Sequence, residues 1–195
     1  MARRLSWVFS ALLCCIAVAA VYADGPRDAD APDPALRSLL IAAAADAASF
    51  GDRFDAEVWL ADMSNRLRRK VPDDATRLEW LKLIHREATR AHLPPELVLA
   101  VIDIESNFDR FAISRAGALG MMQIMPFWLD EIGRPDDNLF HVPTNLRMGC
   151  TILRYYIDME NGNLATGLAR YNGSYGRRTY SDKVLRRLRE RWYKG

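Results

Sequence analysis

Apolar residues return every three or four positions in one stretch of the chain after another. This is the period of helices with one buried face. Phe54, Val58, Ala61 and Leu67 fall near that spacing, and so do Leu78, Leu81, Ile84 and Ala88 over Ala75 to about Ala91. Pro72-Asp73-Asp74 separates the two runs, and Asp74 is the expected cap of the second. Pro94-Pro95-Glu96 opens a third helix, with proline and an acid in its first turn, running to about Asn107. Asn145 to Met159 predicts a fourth, ended by Asn161-Gly162-Asn163. A short helix follows from Leu164, and Ser181 to Trp192 predicts a last one with Val184, Leu185, Leu188 and Trp192 inward. No strand-period run of useful length and no internal repeat occurs, so the expected fold class is all-α.

The first residues follow another pattern. "MARRLSWVFSALLCCIAVAAVYADGP" places Arg3 and Arg4 before a short apolar run that ends in Val21-Tyr22-Ala23. That is the layout of a secretory signal, expected to cover residues 1–23. The run is short for a membrane span, and Asp24 and Pro26 follow at once. Residues 24–35 are rich in proline and aspartate and read as a linker. Residues 36–74, with an alanine-rich stretch from Ala35 to Ala48, read as a helical extension before a domain at 75–195.

Composition adds little to this picture. The 195 residues are half hydrophobic, enough for one domain with a real core. The formal charge is +2 and becomes 0 if Arg3 and Arg4 leave with the signal, so nothing calls for a nucleic-acid partner. Loss of Cys14 and Cys15 would leave Cys150 alone, without an intramolecular disulfide, as a small apolar residue at helical spacing from Leu146 and Leu153. His85, His92 and His141 are scattered, with no acid or cysteine cluster around them. No metal and no cofactor is expected. The tryptophans Trp59, Trp80, Trp128 and Trp192 read as core. Eight Lys or Arg between Arg177 and Gly195, against Asp182 and Glu190, suit either attraction to an anionic polymer or a solvated helix face.

One residue breaks the pattern. Glu105 follows Val98 by seven positions and Val101 by four, so it shares the apolar face of its helix with Leu97, Ile104 and Phe108. A desolvated carboxyl keeps its proton to higher pH and can give it away near neutrality. Asp103 points elsewhere on that helix. Asp109 reads as a helix end or cap rather than a second acid. After Glu105 comes "SRAGALGMMQIMP", a glycine turn leading to Gln123, which can donate and accept hydrogen bonds, and to adaptable methionines.

Glu105-Ser106 followed by Gly117-Ala118-Leu119-Gly120-Met121-Met122-Gln123-Ile124-Met125-Pro126 closely resembles the signature of the lytic murein transglycosylases. These carry the soluble-lytic-transglycosylase catalytic domain, which is lysozyme-like and similar to goose-type lysozyme. Asn145-Leu146-Arg147-Met148-Gly149 and Ala169-Arg170-Tyr171-Asn172-Gly173 resemble two later motifs of that family, in the same order. The likeness spans roughly Leu78 to Trp192. Met121 stands where leucine is commoner, and Arg170 interrupts a frequent alanine-tyrosine pair.

The resemblance implies that Glu105 is the catalytic acid and base. Ser106, Met122, Gln123, Tyr171 and Asn172 would line a saccharide cleft, with Tyr180 also facing it and Tyr171 orienting Glu105. It implies an exported enzyme, a monomer of the periplasm or cell envelope, that acts on peptidoglycan glycan strands. The bond cleaved would join N-acetylmuramic acid to N-acetylglucosamine, leaving a 1,6-anhydromuramoyl end. A lysozyme-like hydrolase and a non-catalytic peptidoglycan-binding module stay open as alternatives.

Overall fold

The computed structural model describes residues 36, 38, 39, 41 and 48–193, all within the unit Pro32–Gly195. The expected signal and linker lie outside the described residues. Leu36, Ser38, Leu39 and Ile41 are helical, within the stretch expected to be so. Seven α-helices follow: α1 (Arg53–Leu67), α2 (Asp74–Arg90), α3 (Pro95–Glu105), α4 (Trp128–Ile132), α5 (Val142–Met159), α6 (Leu164–Tyr171) and α7 (Thr179–Arg187). A π-helical turn, Leu188–Trp192, continues α7. Among the described residues, extended pairing is confined to two isolated bridges, Ile113 with Leu119 and Leu119 with Ile124. The fold is all-α.

Local chemistry sets the helix starts. Asp52 accepts from the Asp55 N–H at 2.8 Å, and Asp73 from the Thr76 N–H at 2.8 Å. The cap of α2 is thus Asp73, one residue before the expected Asp74, which lies in the first turn. Asn163 caps α6 through the N–H groups of Ala165 and Thr166. Pro143 occupies the first turn of α5, where its missing N–H costs nothing, and the helix begins at Val142 rather than Asn145.

Helix α3 runs through the middle. Leu97 to Asp103 are all buried, so the helix is enclosed around its whole circumference rather than along one stripe. It packs against α2, α7 and the π turn, while α5 packs against α2 and α6. Leu60 and Leu67 of α1 belong to the same core as Leu81, Leu97 and Leu146. The stretch expected as an extension therefore contributes a wall of the main core. Each fully buried leucine there is worth roughly 1.5–3 kcal/mol. Buried Arg77 fastens the α1–α2 connection, donating to the Ser64 Oγ at 2.9 Å and the Val71 carbonyl at 2.7 Å, and pairing with Asp74. Cys150 is fully buried, and burial pushes its thiol pKa far up, which keeps it protonated and unreactive.

Candidate active site

Glu105 is the last residue of α3, so its backbone is held by the central helix while its side chain reaches beyond it. The chain then reverses sharply. Asn107 and Phe108 both have left-handed backbones, with φ 55° and 68°. Lys70 spans this reversal. Its ammonium contacts the side chains of Asp103 and Asn107 and lies 5.7 Å from the centre of the Phe108 ring.

The carboxyl of Glu105 lines a pocket of about 460 Å³ with Ile104, Asn172, Ser174, Thr179 and Tyr180. The Tyr180 hydroxyl donates to its Oε1 at 2.5 Å. Burial pushes the Glu105 pKa up to about 7, against hydrogen bonds from Tyr180 and Asn172 that pull it down. Tyr180 is itself buried, with its pKa raised well above 10, so it stays protonated and remains a donor throughout the neutral range. Glu105 is thus half protonated near neutrality, with a donor in place for the ionised form. Among the described residues lining this pocket it is the sole carboxyl.

Asp103, two residues earlier, has a different environment. It is 5 % exposed. Arg187 of α7 donates to it at 2.6 Å, the Trp192 indole at 3.1 Å, and Lys70 also pairs with it; the Arg191 guanidinium lies 3.8 Å away. A buried carboxyl group with cations and an indole N–H around it holds those partners in place. Asp103 therefore ties α7 and the π turn onto α3, and α7 in turn carries Tyr180 to Glu105. Sequence reading placed Asp103 on another face but did not anticipate this role. The available signal was an acid inside a helix that is apolar all round.

The other expected residues fall into two groups. Asn172 and Tyr180 meet Glu105. Ser106, Met122, Gln123 and Tyr171 build the wall beside it, mostly through inward contacts. The Ser106 hydroxyl donates to the Met121 carbonyl at 2.8 Å. Gln123 has φ 52°, and its amide nitrogen donates to the carbonyls of Gly120 and Ala112 at 2.8 and 3.2 Å, leaving its oxygen as the group it can offer. Two expectations need correction. Met122 does not present its side chain to a cleft; it is fully buried, because Gly149 leaves a gap for it. A Cβ at Gly149 would lie 2.4 Å from the Met122 sulfur. Tyr171 does not orient Glu105, because its hydroxyl donates to the Met122 carbonyl at 2.6 Å. That orienting contact comes from Tyr180 instead.

Asn145 completes the wall from below. It accepts from the Met122 N–H at 2.7 Å and donates to the carbonyls of Leu119 and Leu139 at 3.0 and 2.8 Å. Gly120, with φ 74°, sits where a Cβ would be 2.4 Å from both Asn145 Nδ2 and the Leu139 carbonyl oxygen. The motif of asparagine and glycine on α5 thus anchors the glycine-methionine turn. Sequence reading missed Arg177 and Lys183, which also line the Glu105 pocket.

A larger pocket of about 600 Å³ opens elsewhere, around Phe50, Trp59 and His85. Its polar groups are paired with one another: the Trp59 indole donates to Glu96 at 2.7 Å, and His85 Nδ1 shares a 2.8 Å hydrogen bond with Ser49. Burial lowers the His85 pKa to about 4, so that imidazole is neutral.

A carboxyl near its neutral point, with a permanent donor in place for its ionised form, is what general acid–base chemistry requires of a side chain. Comparison with known proteins agrees with the motifs. The family model described as "Transglycosylase SLT domain" matches residues 82–188, and the chain belongs to this family. A transglycosylase of Enterobacteria phage PRD1 is 30% identical over 118 residues, covering 57% of this chain and 43% of that protein. The membrane-bound lytic murein transglycosylase C of Yersinia pestis (strain Pestoides F) is 28% identical over 124 residues, covering 54% of this chain and 35% of the relative. The chain thus spans less than half the length of these relatives. Among solved structures, the 70 kDa soluble lytic transglycosylase from Escherichia coli aligns over 78% of this chain and 29% of its own, with 20% identity and a TM-score of 0.45.

Proposed function

We propose that the chain is a peptidoglycan lytic transglycosylase in which Glu105 is both acid and base. The observation that carries this reading is a single carboxyl of pKa about 7 in its pocket, with Tyr180 donating to it. Glu105 gives its proton to the oxygen that joins N-acetylmuramic acid to N-acetylglucosamine, and the bond from that oxygen to C1 breaks. The muramoyl sugar's own C6 hydroxyl attacks C1. Because it is tethered to the reacting carbon, it acts at high effective concentration. Glu105, now a carboxylate held by Tyr180 and Asn172, takes the hydroxyl proton and is restored. No water is consumed, and the product ends in a 1,6-anhydro ring.

A hydrolase of the two-carboxylate kind needs a second acid across the bond. Asp109 is a poor candidate: it is exposed, and its Oδ1 accepts from the Phe111 N–H at 2.9 Å in the turn after α3. The N-terminal pattern of Arg3, Arg4, an apolar run and Ala23 supports export to the cell envelope. No helix among the described residues is long and apolar enough to cross a membrane.

The test is mass analysis of purified peptidoglycan after digestion. Wild-type protein should release muropeptides lighter by one water than hydrolytic products, and Glu105→Gln should lose at least about a hundredfold in rate. Products with ordinary reducing ends would replace this reading with the hydrolase. Binding without turnover would replace it with a binding module.

A further inference from the structure

We propose that Arg177 and Lys183 form an anion subsite beside Glu105, which takes a carboxylate from the lactyl arm of the muramoyl sugar or from the peptide that arm carries. This rests on the reading of the chain as a peptidoglycan enzyme and adds what its site selects. Arg177, in the turn before α7, and Lys183, one turn inside it, line the same pocket of about 460 Å³ as Glu105. Both side chains are exposed.

Their neighbours are committed elsewhere. Arg178 pairs with Asp182, and Arg187 and Arg191 pair with Asp103, but Arg177 and Lys183 have no side-chain hydrogen bond or ion pair among the described residues. The nearby acid that could have neutralised Lys183, Asp182, is already taken by Arg178. Around a pocket whose one carboxyl is half protonated near neutrality, the lining is therefore net positive. Burial, Tyr180 and Asn172 set the Glu105 pKa, so the two cations leave the acid's strength alone and remain available to a ligand. A neutral polysaccharide offers nothing for them to bind. A glycan whose alternate sugars bear a lactyl carboxyl, free or extended into a peptide with its own carboxylates, offers an anion at a fixed distance from the bond that Glu105 would protonate. Guanidinium and ammonium groups at one edge of the pocket suit that anion.

The experiment is a chemical-shift titration of the full chain carrying Glu105→Gln, so that binding is read without turnover. Three ligands are compared: a GlcNAc–MurNAc disaccharide with its lactyl carboxyl free, the same disaccharide with that carboxyl amidated, and the disaccharide carrying a peptide with free carboxylates. At least one acid form should bind about fivefold tighter than the amide, the size expected of exposed charge pairs. Preference by the bare acid assigns the contact to the lactyl group; preference by the peptide form alone assigns it to the peptide. Adding Arg177→Gln or Lys183→Gln should bring the ratio towards one, as should salt of about 0.5 M. Arg186→Gln, on α7 but outside the pocket, should leave the ratio unchanged. Equal binding of acid and amide, a preference that survives both substitutions, or no saturable binding of any of the three would overturn the subsite. Failure of wild-type protein to release anhydro ends is read separately and bears on the proposed activity alone.

Discussion

Replacing Glu105 by glutamine should stabilise the protein at high pH and not at low pH. In the folded chain the Glu105 pKa is about 7, against an ordinary 4.5 once the chain unfolds. As pH rises from about 4.5 to 7, the unfolded chain releases this proton while the folded chain keeps it. The folded state then binds more protons, so its stability falls with pH across that window and levels off above it. At about 1.36 kcal/mol per pH unit, the full step is worth about 3 kcal/mol, an upper figure for a side chain that still touches solvent. Glutamine has nearly the same shape and does not titrate, so the variant escapes the loss. Urea unfolding of both proteins at pH 4 and pH 8 measures it. Other titrating groups are common to both and cancel in the difference. The variant's advantage should grow by about 2–3 kcal/mol between the two pH values. A difference that stays flat with pH would refute the claim that burial holds this carboxyl in its acid form.

The same pKa governs rate: kcat/KM should fall about tenfold per pH unit above pH 7, as the acid form is lost, in a pH–rate profile on purified glycan. Tyr180→Phe removes a donor to the ionised carboxyl, so that falling limb should move to higher pH by about one unit or more, with a lower kcat; an unmoved limb would mean that the hydroxyl does not act on Glu105. Asp103→Asn leaves Lys70, Arg187 and Arg191 without their buried counter-ion and should cost about 3–5 kcal/mol in urea unfolding. Gly120→Ala demands a left-handed backbone and a Cβ 2.4 Å from the Leu139 carbonyl, so it should destabilise the chain by more than about 1 kcal/mol and lower its thermal midpoint.

The helices that the sequence reveals best are those with one apolar face and a chemical start signal. Asp73, Pro95 and Asn163 sit where such signals belong, and α2, α3 and α6 begin beside them. Helix α4 has five residues and no buried side chain, so it leaves no periodic trace. Glu105 was legible because its conflict with its neighbours is local: an acid four residues from Val101 and seven from Val98. What surrounds it was not. Tyr180 lies 75 residues further on, and the partners of Asp103 on α7 and the π turn lie 84 and 89 residues away. Tyr180 does precede Val184 by one helical turn, which was the signal for its inward position. The inward turn of Met122 was hidden for a similar reason, since it depends on a gap left by Gly149 on another helix.

That separation along the chain bears on how the protein is made. Synthesis runs from the N-terminus, so α3 with Glu105 emerges well before Tyr180 and the residues that grip Asp103. Until α7 docks, Glu105 lacks this donor and the cover of this helix, and its acidity moves back towards that of an ordinary glutamate. Long-range contacts of this kind also form late in folding because of the loop that must first be closed. The proton-donating strength of Glu105 is therefore acquired at maturation, when α7 is in place.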